Sequence, residues 1–140
     1  MNLETELKFI GSEETISELR QSPKLQELAG ARGARTITQR AVYFDSKQQD
    51  LWKAGYVLRV RNEGEGYMQT LKRISHADLA SRPEFKSDVL SATPDLNTIP
   101  DSKLRWRIMQ MLKDRELVPQ FVIETRRTKL ITRKRRYSYP

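Results

Sequence analysis

The stretch that decides the fold is YVLRVRNEGEGYMQTLKR, residues 56–73. Apolar and charged residues alternate over residues 56–61, with the period of two expected of a β-strand whose two faces differ. Residues 63–66 are EGEG, and their glycines suit a tight connection to a returning strand over residues 67–73. The stretch therefore predicts a β-hairpin in which one face of each strand carries charged side chains.

The rest of the chain predicts further strands and a few helices around this hairpin. Strand patterns cover residues 3–10, 39–45, 83–89 and 121–132, and residues 31–38 predict a loop. Helix signals lie at Ser12, at Pro23 and at Asp101 or Ser102, and the two tryptophans, Trp52 and Trp106, are predicted to be packing residues. We expect an α+β fold: a mainly antiparallel, barrel-like but incomplete sheet of about six strands, with two or three flanking helices.

Composition excludes several classes of function. The 140 residues include no cysteine and one histidine, His76, which excludes disulfide scaffolds, thiol nucleophiles and multi-histidine metal sites. No apolar run is long enough to span a membrane, and the N-terminus has no signal-peptide pattern. The sequence therefore predicts a cytoplasmic, single-domain protein that has no membrane partner and works with carboxylates and cations.

The net charge of +8 is concentrated at one end of the chain. Seven bases and no acid lie in residues 126–136, which leaves 19 of the 26 bases against all 18 acids elsewhere. A nucleic-acid-binding fold would spread its positive charge over one surface. Nucleic acid is therefore not the expected partner, although binding driven by the basic tail stays open as an alternative.

Charged residues recur at alternate positions of several predicted strands. They are Glu4, Glu6 and Lys8; Arg59 and Arg61; Lys72; and Arg82, Glu84 and Lys86. A solvated sheet face would explain any one of these strands. If the sheet curls, however, the same face becomes a lumen of cations and carboxylates, which suits a polyanion together with a divalent metal.

Six short motifs, in this order along the chain, resemble one family. They are Glu-Thr-Glu-Leu-Lys at residues 4–8, Tyr-Phe-Asp at 43–45, Leu-Arg-Val-Arg at 58–61, Thr-Leu-Lys at 70–72, Arg-Pro-Glu-Phe at 82–85 and Pro-Asp-Leu at 94–96. Together they resemble the CYTH superfamily, the triphosphate tunnel metalloenzymes, and its bacterial inorganic triphosphatases in particular. Members of that superfamily hydrolyse inorganic or thiamine triphosphate, or cyclise ATP.

The resemblance implies roles for individual residues. A metal ion, Mg²⁺ or Mn²⁺, would be held by Glu4, Glu6 and Glu84. The phosphates of a triphosphate substrate would be bound by Lys8, Arg59, Arg61, Lys72 and Arg127, and Glu4, Glu6 and Lys8 would take part in catalysis.

The resemblance ends near Leu130. The family's closing strands carry further acids, whereas residues 131–140 are basic and acid-free. We therefore expect residues 1–130 to form a C-terminally truncated CYTH domain and residues 131–140 to be a disordered or aberrant tail. The expected function is metal-dependent binding and hydrolysis of a triphosphate, with activity impaired by the missing strands and an open edge that favours a homodimer. A non-catalytic phosphate-binding module and a class IV adenylate cyclase-like activity are the alternatives.

Overall fold

The computed structural model describes residues 2–5, 7–30, 34–62, 64–74 and 81–131, with residues 2–5, 81 and 82 described by their backbone alone. The elements, in order, are β1 (Asn2–Thr5), α1 (Glu13–Gln21), α2 (Pro23–Ala29), β2 (Ala34–Asp45), α3 (Asp50–Lys53), β3 (Tyr56–Asn62), β4 (Tyr67–Arg73), β5 (Ser81–Val89), α4 (Ser102–Leu112) and β6 (Val118–Leu130). A single 3₁₀ turn, Leu96–Thr98, precedes α4. Within these ranges, no helix has the length and hydropathy needed to cross a bilayer.

The six strands form one sheet in the order β1-β5-β4-β3-β2-β6. β3 pairs antiparallel with β2 and β4, and β5 pairs antiparallel with β4 and β1. Because β1 and β6 lie at the two ends of this order, the described strands form an open sheet. The predicted α+β class and incomplete antiparallel sheet are confirmed. The described residues contain four α-helices rather than two or three, because the one-turn helix α3 is too short to show a periodic pattern.

The two faces of the sheet differ in what they contact. Leu58 of β3 belongs to one buried apolar cluster with Leu51 of α3 and Ile108 of α4, so these helices cover one face of the sheet. Successive residues of a strand point to opposite faces, which places Arg59 and its register partner Thr70 on the other face. We call the face of Leu58 the packed face and the face of Arg59 the ionic face.

The turn between β2 and β3 is held by the carboxylate of Asp45, the last residue of the Tyr-Phe-Asp motif. Its Oδ1 accepts hydrogen bonds from the backbone N–H groups of Ser46 at 2.8 Å and Leu51 at 3.0 Å, and its Oδ2 accepts one from Trp52 at 3.0 Å. Arg115 then donates to both carboxylate oxygens of Asp50, at 2.8 and 2.9 Å. These bonds fix α3 at the end of β2.

By its contacts the chain divides into two compact units: the described residues of 2–7 and 38–125, and those of 8–37 and from 126 onward. The first unit contains most of the sheet together with α3 and α4. The second contains α1, whose predicted cap is present because Ser12 Oγ accepts from Thr15 N–H at 3.2 Å. It also contains α2, which begins at Pro23 as predicted.

The prediction of a strand over residues 3–10 is wrong in its second half. β1 ends at Thr5, and the described residues 7–10 form no regular secondary structure. Thr5 pairs with Ser81, the first residue of β5, so β5 provides no partner beyond that point. A strand continuing to residue 10 would place Leu7 and Phe9 together on its apolar face, whereas both side chains are exposed.

Three further sequence predictions need correction. The predicted loop over residues 31–38 is a strand from Ala34 onward, and in that part the hydroxyls of Thr36 and Thr128 lie 3.0 Å apart. β6 ends at Leu130 rather than at residue 132. Trp52 and Trp106 are 60% and 66% exposed, so the packing role predicted for both is wrong.

Candidate anion-binding site

Three neighbouring strands bring the charged residues of the ionic face together. Thr70 of β4 lies opposite Arg59 of β3 on one side and opposite Lys86 of β5 on the other. Two residues further along β4, Lys72 lies opposite Glu84 of β5. Because directly opposite residues of antiparallel strands share a face, the register assembles these side chains into one patch.

Glu84 is the centre of this patch. Its side chain is 3% exposed, and one of its carboxylate oxygens, Oε1, lies 3.3 Å from Lys72 Nζ and 3.8 Å from Arg59 Nη2. The other oxygen, Oε2, lies 3.6 Å from Lys86 Nζ. An isolated buried carboxylate is costly, and the three surrounding cations offset that cost. We call Arg59, Lys72, Glu84 and Lys86 the ion cluster.

The ion cluster contains more positive than negative charge. Its three cations against one carboxylate leave a formal excess of two positive charges. Further along the same face, the half-buried Arg61 and the exposed Asp88 both lie opposite Met68 and balance each other formally. Arginine and lysine donate charge-assisted hydrogen bonds to phosphate oxygens, so an excess of them on a partly buried surface suits a polyphosphate.

Thr70 is a candidate site residue to which the sequence analysis gave no role. It is 1% exposed, and its Oγ1 has no hydrogen-bond partner among the described residues. A buried hydroxyl left without a partner costs about 1–3 kcal/mol, which a ligand oxygen could recover. The sequence could have indicated this role, because Thr70 lies two residues before Lys72 and therefore on the same, charged face of the strand.

A comparison with protein-family models shows to which family the chain belongs. The family model for the CYTH domain matches residues 2–138. The chain belongs to the CYTH family. CYTH domains bind triphosphates, which agrees with the three cations of the ion cluster, and they depend on a metal. The match also extends past Leu130, the residue near which the resemblance of the short motifs ends.

Solved structures support the fold of this CYTH domain. The chain is similar to the crystal structure of a Bacillus halodurans protein provisionally named an adenylate cyclase, with a TM-score of 0.53 and 21% sequence identity. The similarity covers 90% of this chain and 66% of the other, so the chain spans slightly less than two thirds of its neighbour's length. Identity at this level shows a shared fold alone. No curated protein matches the chain.

The structure brings three of the predicted site residues into direct contact, namely Arg59, Lys72 and Glu84. Arg61 lies on the same face, two residues beyond Arg59. The backbone of β1 places Glu4 opposite Arg82, two residues from the position opposite Glu84.

The contacts described for the ion cluster do not include the remaining predicted site residues. Glu6 lies outside the described residues. Lys8 is exposed and lies outside β1, while Arg127 is exposed on β6, and both belong to the second compact unit. Their roles in binding phosphate stay predictions.

The described residues do not by themselves fit a metal site. Among them, no group of three or more histidine, cysteine, aspartate or glutamate side chains could hold a metal ion. Glu84 is the one predicted metal ligand whose side chain is described, and its oxygens face three cations that would repel a divalent metal. These contacts suit an ion-paired carboxylate better than a metal ligand, so a metal role for Glu84 stays a prediction.

Proposed function

We propose that this CYTH domain binds the phosphates of a triphosphate on its ionic face, through Arg59, Arg61 and Lys72, and hydrolyses the terminal phosphoanhydride bond. The observation that carries the proposal is the ion cluster, in which three cations surround a single buried carboxylate. The guanidinium and ammonium groups of such a cluster can donate charge-assisted hydrogen bonds to the oxygens of a polyphosphate.

The chemistry expected of these residues is positioning and charge neutralisation. Hydrolysis of a phosphoanhydride bond proceeds through a loose transition state whose charge lies on the phosphate oxygens. Guanidinium and ammonium groups held in place on β3 and β4 would stabilise that charge without reorganising. The Thr70 hydroxyl, which lies opposite Arg59, would donate a further hydrogen bond to a phosphate oxygen.

The metal is part of the same proposal, and its identity is proposed to be Mg²⁺ or Mn²⁺. When bound, it would neutralise charge on the phosphates. Glu4 and Glu6 are its candidate ligands. Titrating Mn²⁺ while following the electron paramagnetic resonance signal of free Mn²⁺ tests this directly, because Glu4→Gln should weaken Mn²⁺ binding in the absence of any substrate. Unchanged Mn²⁺ affinity would remove Glu4 from the metal site.

Calorimetric titration with tripolyphosphate tests the binding surface. Arg59→Ala should lose a charged hydrogen bond of about 1.5–3 kcal/mol, which raises Kd by roughly 10- to 150-fold. The matched control is Arg40→Ala on the adjacent strand β2, because Arg40 is exposed and its ion pair with Glu124, at 3.7 Å, lies outside the ion cluster. If wild type, Arg59→Ala and Arg40→Ala all bind tripolyphosphate with equal affinity, the ionic face is an ordinary solvated surface and the proposed binding site is wrong.

Product analysis separates the proposed activity from its alternatives. Phosphate release from tripolyphosphate with Mg²⁺ or Mn²⁺ supports a triphosphatase. Formation of cyclic AMP from ATP supports the cyclase activity after which the Bacillus halodurans neighbour is named. Arg59-dependent binding with neither product supports a non-catalytic phosphate-binding module. The predicted cytoplasmic location and homodimer are separate proposals, and sedimentation velocity tests the homodimer.

A further inference from the structure

Gln69 of β4 is a buried polar residue on the packed face of the sheet. It is 1% exposed and lies opposite Val60 of β3, which belongs to the apolar core. Its side chain points away from the ion cluster, because the next residue, Thr70, lies on the ionic face. A buried amide costs free energy unless its hydrogen bonds are satisfied, so its partners indicate what it holds in place.

The side chain of Gln69 joins β4 to β5 and to the Pro-Asp-Leu motif. Its Oε1 accepts a hydrogen bond from the Asp95 backbone N–H at 2.8 Å, and its Nε2 donates to the Asp95 carbonyl at 3.0 Å. The same Nε2 lies 3.1 Å from Thr98 Oγ1 and 3.3 Å from Ser87 Oγ, and these two hydroxyls lie 2.9 Å apart. We call Gln69, Ser87, Asp95 and Thr98 the amide network.

The amide network opposes a shift of β4 along β5. Gln69 lies opposite Ser87, and the pairs on either side of it on the packed face are apolar, namely Tyr67–Val89 and Leu71–Phe85. A slip of one residue would turn apolar side chains to the wrong face, so the alternating pattern already excludes it. A slip of two residues keeps the faces. It would place Gln69 opposite Val89 or Phe85 instead, which leaves a buried amide without its partners.

The ion cluster depends on the same register. Lys72 lies opposite Glu84, and a slip of two residues would place Lys72 opposite Lys86 or Arg82 instead. Like charges opposite each other are unfavourable, but Lys86 is 41% exposed and water weakens that repulsion. The seven residues 74–80 that connect the strands are too many to fix the register as a tight turn does.

We propose that Gln69 is a positioning residue, which fixes the register of β4 against β5 and thereby brings Lys72 and Glu84 together in the anion-binding site. The register itself is a property of the sheet. Its consequence for a ligand rests on the proposed function, since it takes the ion cluster as the phosphate site. The amide network also gives the Pro-Asp-Leu motif a role, because Asp95 receives the Gln69 amide through its backbone.

Disulfide cross-linking measures the register directly, since the chain has no cysteine of its own. Met68→Cys with Asp88→Cys reports the observed register, because these residues lie opposite each other. Met68→Cys with Lys86→Cys or with Leu90→Cys reports a slip of two residues. Diagonal neighbours are about 7–8 Å apart, and a disulfide needs Cα atoms about 4.4–6.8 Å apart, so the last two pairs bridge only after a slip.

The test variant is Gln69→Met, which removes the amide and keeps the length of the side chain. Under mild oxidation of the monomer, at least one off-register pair should cross-link roughly tenfold faster in Gln69→Met than in the otherwise wild-type chain. The matched control is Leu71→Ala, on the same strand and the same face. It creates a cavity in the core but keeps the amide network, so it should leave the off-register rates within about twofold.

Thr98→Val keeps the test decisive if Gln69→Met does not fold. It removes one acceptor of the Gln69 amide and should raise the off-register rate by a smaller factor. Off-register rates that do not rise in either variant overturn the inference. An equal rise in Leu71→Ala also overturns it, because any loosening of the core would then release the register.

Tripolyphosphate separates this inference from the proposed function. At about 100 times the Kd that calorimetry gives for the variant, it should slow off-register cross-linking of Gln69→Met roughly 100-fold, because it binds the observed register alone. If tripolyphosphate does not bind at all, the proposed function fails and the role of Gln69 in the register stands. If it binds without slowing the cross-link, the link between Gln69 and the anion-binding site is overturned and the proposed function stands.

Discussion

Glutamine at position 84 would remove the one carboxylate of the ion cluster while keeping the size and shape of the side chain. Arg59, Lys72 and Lys86, whose nitrogens lie 3.3–3.8 Å from the carboxylate oxygens, would then lose the carboxylate that they share. We expect Glu84→Gln to fold less stably than wild type for this reason. We also expect a polyanion to restore most of the loss, because it would supply the missing negative charge from solution.

The size of the effect follows from the burial of the cluster. Removing one partner of a buried ion pair typically costs about 3–5 kcal/mol. The side chain of Lys86 is 41% exposed, so water solvates part of the uncovered charge and a loss near the lower end, about 3 kcal/mol, is expected. For a chain of this size that loss lowers Tm by roughly 10 °C. Tripolyphosphate at about 100 times its Kd should raise the free energy of unfolding by about 2.7 kcal/mol, because it binds the folded state and not the unfolded one.

Differential scanning calorimetry of Glu84→Gln, with and without tripolyphosphate, measures both effects. Asp88→Asn is the control, because Asp88 is exposed on the same strand and the same face, and it should change stability by no more than about 0.5 kcal/mol. An unchanged or higher Tm in Glu84→Gln without polyanion would refute the reasoning. Glu84 would then lie among other acids, as a metal ligand would, and its removal would relieve repulsion.

Two further predictions concern stability elsewhere in the chain. Ile108→Ala, in the fully buried contact of α4 with the packed face, should lower the free energy of unfolding by about 2–5 kcal/mol in urea denaturation, whereas Met109→Ala on the exposed side of the same helix should cost much less. Hydrogen bonds from Ser46 and Arg115 hold the pKa of Asp50 below its ordinary value of 3.8, so its stabilising contribution is present above pH 3.8 and is lost as the pH falls through the lower folded value. Tm measured against pH should therefore fall less steeply below pH 3.8 in Asp50→Asn than in wild type, and parallel curves would contradict the assignment.

The hairpin of β3 and β4 could be predicted because its alternation is visible in the sequence. Leu58 and Arg59 differ sharply in polarity, so the period of two identifies both the strand and its faces. The first half of β2 has no such contrast, since residues 34–38 are ARTIT, and it becomes a strand by lying beside β6 in the sheet. Pairing between segments some ninety residues apart leaves no local pattern to detect.

The candidate site was predictable in its members but not in its contacts. The alternation in the sequence predicts that Arg59, Lys72 and Glu84 each lie on the charged face of their strand. Which of them touch depends on the register between β4 and β5, and the length of the connecting segment does not determine that register. The metal role of Glu84 came from the family resemblance and stays a prediction, and the register adds that its described neighbours are cations.

The strict alternation along β3 has a consequence for how this chain tolerates insertions and deletions. A single inserted residue between Leu58 and Arg59 would turn every following side chain of the strand to the opposite face, so that Arg59 would take the buried position of Val60 and Val60 would replace Arg61 opposite Met68. Stability and ligand binding would fail together, although no residue had been substituted. A two-residue insertion would restore the faces and shift only the pairing, so length changes here should be tolerated in even steps or confined to the connection at residues 63–66.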